Sequence, residues 1–349
     1  MSYRQIYLLL GVLLLVLLFA SAGIGALSFS PREMLGYLGH ALGWTGAGDN
    51  DVLGRNVFLL LRLPRVLLAG LTGAVLGVSG TLMQGLFRNP IVEPGLAGTS
   101  AGAALGASLM FVFGGASAFA LITPLGTLGV PLLAFIGAFL ATIAVYALAS
   151  RFGKVNVFVL LLAGIAVNAV CSAGTGFLSY VARDPQARNI TFWNLGTFTT
   201  ADWHGTLLVG VFFVICFGWA LRHGRDLNAL MLGEDEAAYL GTDPKRLVRS
   251  LLLINTLMVA VTTAMVGVIA FVGLVVPHML RMMKSSDYRF LLPASALLGA
   301  ILMEGIDIVA RIIIPPAELP IGIITAIIGA PVFLWILLSQ QRRSGGSYG

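Results

Sequence analysis

Long charge-free apolar runs alternate with short polar segments along the whole chain. A helix needs about 20 apolar residues to cross the hydrocarbon core of a bilayer, so the runs predict spans directly. Residues 6–27 and 66–87 carry no charge and give spans one and two. Residues 94–150 hold no Asp, Glu, Lys or Arg, a run too long for one helix; Gly114-Gly115 and Thr123-Pro124 divide it into spans three and four. Residues 155–182 and 203–221 give spans five and six, and residues 249–268 give span seven. Residues 273–283, with Pro277 and His278 inside them, are half a span long and predict a short eighth helix. Spans nine and ten follow at 291–313 and 321–338. The first run is too long for a cleaved signal peptide and reads as an anchor.

Ten spans place both termini on one side. Cytoplasmic loops of membrane proteins are enriched in Lys and Arg. Arg88, Arg151, Lys154, the group from Arg222 to Arg249, Arg281 to Arg289, and Arg342-Arg343 share the side of the termini. That side is therefore expected to be cytoplasmic. Arg62, Arg65, Arg188 and Arg311 then fall outside and need a reason of their own.

Composition agrees with the pattern and narrows the function. Hydrophobic residues make up 58% of the chain and charged residues 10%, where soluble domains carry about a quarter. This excludes a soluble enzyme and a disordered regulator. The net charge of +6 comes from scattered single residues, so no nucleic-acid partner is expected. The 43 glycines suit helices that pack closely in lipid. Cys171 and Cys216 fall inside spans and read as small packing residues. No Gly-x-x-x-x-Gly-Lys-[Ser/Thr] loop is present, so the chain lacks that route to ATP. The four histidines are dispersed, with no metal spacing. Glu304 and Asp307 are the rare intramembrane carboxylates, too few for the proton relay of an ion-coupled carrier. An ion-coupled secondary transporter or a membrane scaffold stays as the alternative, but energy is expected to come from a partner.

The segment 226–241, between spans six and seven, is short, amphipathic and helix-prone. Gly233 breaks it and Gly241 ends it, with Pro244 beyond. Leu230, Met231, Ala237, Ala238 and Leu240 give an apolar surface beside Glu234, Asp235 and Glu236. Either it lies on the membrane as a connector, or it inserts into a groove on a cytoplasmic partner.

Three stretches of the first half carry a resemblance: Arg62-Leu-Pro-Arg65, Gly80-Thr-Leu-Met-Gln84, and Arg88-Asn-Pro-Ile-Val-Glu-Pro94 through Gly102. The second half adds Leu232-Gly-Glu-Asp-Glu-Ala-Ala-Tyr-Leu-Gly241, Gly267 through Pro277-His278-Met-Leu-Arg281, Asp307-Ile-Val-Ala-Arg311, and Glu318 through Trp335. Together they resemble the FecCD-type permeases, the membrane subunits of ABC importers for ferric siderophores, haem and cobalamin. The resemblance runs in order over nearly the whole chain. It implies an all-α polytopic protein of the type II importer permease fold, a single transmembrane domain over residues 1–349 in a bacterial inner membrane. It also implies a homodimer with two cytoplasmic ABC ATPase subunits and a periplasmic substrate-binding protein. Haem or a ferric siderophore would be cargo, with no permanently bound cofactor.

Site residues follow from the same resemblance. Arg62, Arg65 and Arg311 match arginines that pair with acidic residues of the binding protein; interfacial snorkelling, or for Arg311 a local pair with Asp307, is the plainer reading. Asn89, Ile91, Val157 and Phe158 match the cytoplasmic gate, although some relatives carry small hydroxyl residues where Val157-Phe158 stand. Asn-Pro turn chemistry and lipid contact are the alternatives. Leu232, Gly233, Glu234, Ala237, Leu240 and Gly241 match the coupling segment that meets the ATPase. Arg188, Phe192 and Trp193 form either an interfacial aromatic belt or a pathway entrance where Arg188 meets an anionic cargo. Their Gln-Ala-Arg-x-x-x-Phe-Trp pattern is more like haem permeases than cobalamin ones. The run Gly95 to Ser108 reads as tight helix packing, and His278 as a structural histidine.

Overall fold

A computed structural model describes residues 2–25, 27–44, 51–115, 128–150, 157–315 and 317–345. The Thr123-Pro124 break, Arg151, Lys154 and the first residues of span five lie outside them. The described residues form helices and connecting turns: α1 (Tyr3–Gly23), α2 (Pro31–Ala41), α3 (Val52–Asn56), α4 (Leu63–Leu86), α5 (Thr99–Phe113), α6 (Gly129–Ala149), α7 (Val157–Val181) and α8 (Asp184–Asn194). They continue as α9 (Trp203–Arg222), α10 (Gly224–Leu230), α11 (Glu234–Tyr239), α12 (Pro244–Val266), α13 (Val272–Met283), α14 (Tyr288–Ile312) and α15 (Ile321–Gly345).

Among the described residues seven helices are long and apolar enough to cross a membrane: Tyr3–Gly23, Val52–Leu86, Gly129–Ala149, Val157–Val181, Trp203–Arg222, Pro244–Val266 and Tyr288–Ile312. Three shorter apolar helices, Thr99–Phe113, Val272–Met283 and Ile321–Trp335, occupy the places of expected spans three, eight and ten. Span three is thus shorter than its charge-free sequence suggests. Its first residues instead build a 3₁₀ turn, Pro94–Ala97, closed by Gly98 at φ +88°. Fifteen residues then rise only about 22 Å at 1.5 Å each.

Span two differs in the other direction. The helix runs unbroken from Val52 to Leu86, past Arg55, Arg62 and Arg65. A π-helical segment, Val57–Arg62, leads into Pro64. Proline has no N–H to give the preceding turn, and a widened turn absorbs it. Charge is a poor marker of where this helix starts because its arginines have partners inside the protein.

Packing follows glycine. Along α4, Gly73, Gly77 and Gly80 sit on one face at helical spacing. A Cβ at these positions would meet the backbone of Gly299, Ser295 and Gly273 respectively. The backbones of α4, α14 and α13 therefore touch, and Thr81 Oγ1 donates to Ser295 Oγ at 2.7 Å across the contact. Gly102 and Gly137 join α5 to α6 in the same way, so the Gly95–Ser108 run does pack tightly. With little hydrophobic driving force between helices in lipid, close van der Waals contact takes its place. α4 is buried along most of its length, while α1, α7 and α9 expose apolar faces rich in Leu, Val and Phe. Cys171 and Cys216 are free and buried.

Candidate functional site

Charge and polarity gather at the two ends of the bundle. At one end Arg62, Arg65 and Arg311 come together, and each is already engaged. Arg62 donates to the carbonyls of Ile24 at 2.9 Å and Leu27 at 3.2 Å. Arg311 donates to Ser21 O at 3.0 Å and Ser21 Oγ at 2.7 Å, and pairs with Asp307 at 2.9 Å. Arg65 reaches Asp307 Oδ1 at 2.8 Å with one side of its guanidinium and both Glu318 oxygens, at 2.9 and 2.8 Å, with the other. Asp307 is wholly buried, and Arg65 keeps only 12% of its side chain exposed. The cluster ties α1, α4 and α14 to the segment before α15. The i,i+4 pairing of Asp307 with Arg311 is present. Spacing alone did not foretell Ser21 or Glu318.

At the other end lies the connector. His223 bonds Asp226 at 3.0 Å and Ser250 at 2.7 Å, setting α10 against α12. Asn228 donates to Asp287 Oδ1 at 2.7 Å and accepts from Tyr288 N at 2.9 Å, fixing α10 to the start of α14. Hydrogen bonds from Arg289 and Asn228 hold the Asp287 carboxyl down at about 2 against partial burial. Gly233, at φ +142°, turns the chain into α11 with the Glu236 carboxylate folded against it. Gly241, at φ +88°, ends it, with Thr242 N donating back to Ala237 O at 2.9 Å. A left-handed glycine after a helix is the usual stop, and both glycine positions were legible.

The apolar surface of the connector divides. Leu230 and Ala237 are buried inward, whereas Leu232, Tyr239 and Leu240 are 67%, 91% and 65% exposed. Glu234 pairs with Arg88 at 3.6 Å. Next to Arg88, Asn89 Oδ1 accepts from Ile91 N at 3.0 Å and closes the turn after α4. Val157, at the start of α7, lines a cleft with Leu230, Glu234 and Asp235. The Asn89–Ile91 turn, through its neighbour Arg88, and Val157 thus come beside Glu234 of α11, while Phe158 is largely exposed.

On α8, the Arg188 guanidinium lies 5.8 Å from the centre of the Phe192 ring, and both side chains are exposed. Trp193 turns inward instead and packs against the small-residue contact of α5 and α6. His278 is buried in α13, and no three-residue His, Cys, Asp or Glu group that fits a metal occurs among the described residues. Sequence reasoning did not single out Glu93. Its carboxylate accepts from Phe271 N at 2.9 Å and borders a polar cleft with Ser100, Asn168, Ser172 and Asn194. A lone acid between Pro90 and Pro94, before a charge-free run, was the available signal.

This arrangement of glycine-packed apolar helices is shared with an ABC transporter. A solved ABC transporter described as of metal-chelate type, in an inward-facing conformation, superposes with a TM-score of 0.82 at 32% identity, covering 96% of this chain and 99% of its own. The chain belongs to the FecCD transport family, which matches residues 13–339. It is 42% identical over 337 residues to the hemin transport system permease protein HmuU of Yersinia pestis, covering 96% of each chain. It is 39% identical over 336 residues to the vitamin B12 import system permease protein BtuC of Klebsiella pneumoniae, covering 96% of this chain and 93% of the relative. The protein is a multi-pass inner-membrane permease of the metal-chelate, haem and vitamin B12 importer type.

Proposed function

We propose that the chain works as a homodimer whose ten apolar helices all cross the membrane, with both termini cytoplasmic, and that it imports haem. Two ABC ATPase subunits seat on α11 through Leu232, Tyr239 and Leu240, and a periplasmic binding protein delivers cargo at the arginine end. The exposed apolar residues around Glu234 support the first contact, since a soluble surface does not gather three such side chains on one short turn without a partner. For the second, Arg65 is the arginine able to exchange partners. Its Glu318 contact is 32% exposed on the carboxylate side, whereas Arg62 and Arg311 are committed to buried carbonyls and to Asp307.

The exposed Arg188–Phe192 pair carries the choice of haem: a flat aromatic surface beside a cation fits a porphyrin bearing propionates. The greater identity to a haem permease than to a vitamin B12 permease agrees. Ferric siderophores are the second reading, supported by the metal-chelate neighbour. Reconstitution in proteoliposomes with ATPase and binding subunits, offering haem, a ferric hydroxamate and cobalamin in parallel, tests this. Haem uptake lost in R188A supports the entrance; uptake of a siderophore or cobalamin instead overturns the cargo and leaves the permease standing. Uptake that persists without any ATPase subunit would favour an ion-coupled carrier.

A further inference from the structure

Two described residues other than glycine have a left-handed backbone, Arg88 at φ +49° and Phe271 at φ +69°. Neither is Asn or Asp, the residues that tolerate this region most readily. Such conformations persist only where the surroundings over-determine them, and they cluster in segments that switch. Arg88 opens the segment 88–93 and Phe271 meets its far end at Glu93, so a carboxylate contacts each. Glu234 of α11 grips the Arg88 guanidinium at 3.6 Å. Glu93 accepts from the Phe271 amide at 2.9 Å.

Between these ends the chain is short and stiff. Asn89 Oδ1 closes the turn on Ile91 N at 3.0 Å, Pro90 fixes its own φ, and Val92 is buried. Phe271 is the residue from which α13 starts, and its side chain lies against Gly329 of α15. A displacement of α11 therefore has a route to the first turn of α13, through the Glu234–Arg88 ion pair at 3.6 Å, the covalent turn and the Glu93 hydrogen bond to Phe271 N. The other attachment of the connector is of a different kind. Asn228, Asp287 and Tyr288 anchor α10 directly to the start of α14, with no intervening turn.

An ion pair as exposed as Arg88–Glu234, with 39% and 44% of the side chains open to solvent, adds little to stability. Its loss should read out as lost transmission rather than unfolding. We propose that the strap Arg88–Glu93 transmits movement of α11 to α13, with the Arg88–Glu234 pair as its input and the Glu93 contact to the Phe271 amide as its output. Arg88 and Glu93 are then positioning residues, which act on the pathway without touching cargo. This rests on the reading above that an ATPase subunit seats on α11.

The test uses the complex reconstituted with its ATPase and binding subunits. A nitroxide label at Ile91→Cys, with Cys171 and Cys216 replaced by Ala, reports the distance between the two copies by double electron–electron resonance. Addition of ATP and vanadate is expected to shift that distance in the unaltered strap. Arg88→Gln and Glu93→Leu should each reduce the shift to less than half. Arg88→Lys and Glu93→Gln, which keep the charge and the acceptor oxygen, should retain most of it. Two breaks in one route cost no more than one, so Arg88→Gln/Glu93→Leu should lose no more than either single variant. A normal shift in Arg88→Gln, an exposed substitution that leaves the fold intact, overturns the proposal. So do losses that add in the double variant. Failure of the ATPase subunit to co-purify with the unaltered chain would instead sink the reading that it seats on α11, and the strap with it.

Discussion

The arginine end and the connector end both concentrate charge on an otherwise apolar chain, yet they do so in opposite ways. At the arginine end, Asp307 is wholly buried between Arg65 and Arg311, at 2.8 and 2.9 Å, and spare N–H donors reach backbone carbonyls of Ser21, Ile24 and Leu27. At the connector end the ion pairs are open to water, as in Arg88–Glu234 and Arg246–Asp243, and neutral groups such as Asn228 make the inward bonds. Burial decides what each pair does. A buried charge without its partner is costly whereas an exposed pair is nearly neutral, so the first end holds helices together and the second is free to meet another molecule.

Breaking the buried end should have the largest effect. Asp307→Leu leaves two arginines without their shared counter-charge, at a cost of about 3–5 kcal/mol. Thermal unfolding of the purified protein in detergent should show it as a large fall in Tm. A Tm within a degree or two of the unaltered protein would mean that the arginines find other partners, and the contrast between the ends would lose its basis.

Next comes the packing that both ends share. A Cβ at Gly73 would enter the backbone of Gly299, so Gly73→Ala should cost about 1–3 kcal/mol by forcing α4 and α14 apart. Gly11, in α1, has nothing within 4 Å of its would-be Cβ, and Gly11→Ala should be neutral or slightly stabilising. Equal Tm values for the two variants would show that glycine content, rather than backbone contact, sets the packing.

At the connector end, Asn228→Ala removes two bonds to the start of α14 and should cost about 1–2 kcal/mol, seen as faster hydrogen exchange in α10 and α11. Acid offers a gentler probe of the same contact. The Asp287 carboxyl is lowered from 3.8 to about 2. Its stabilising contribution is therefore complete above the ordinary carboxylate value and fades as pH falls from about 4 towards 2. Exchange in α10 that rises already between pH 7 and 5 would assign the anchor to another group.

How much of this was legible follows from what periodicity and spacing can and cannot carry. Apolar runs located the seven span-length helices among the described residues, and the three shorter apolar ones, because twenty uncharged residues have few other uses. They missed the start of span two, since Arg62 and Arg65 look like loop residues until Ile24, Asp307 and Glu318 are brought to them from elsewhere in the chain. Asp307 and Arg311 were visible as an i,i+4 pair; Glu318 was not, because its partner lies 253 residues away. Gly233 and Gly241 marked the limits of α11 because a left-handed turn favours one residue type. Trp193, written next to Phe192, turns inward instead, since consecutive residues on a helix point about 100° apart.

The smallest structural effect is expected at the point where the two kinds of charge meet. Glu318 belongs to the buried cluster through Arg65 but keeps 32% of its side chain in solvent. Glu318→Gln should therefore change stability by less than about 1 kcal/mol. It should nonetheless free one face of the Arg65 guanidinium for an acidic residue of the binding protein proposed to dock there. Association measured on immobilised permease should become faster at 50 mM salt, and the gain should shrink at 0.5 M, where screening acts within about 4 Å. Glu318→Gln combined with Arg65→Gln should abolish the gain. An association rate indifferent to Glu318→Gln at low salt would place docking away from Arg65, and the arginine end would then be purely a clamp between helices.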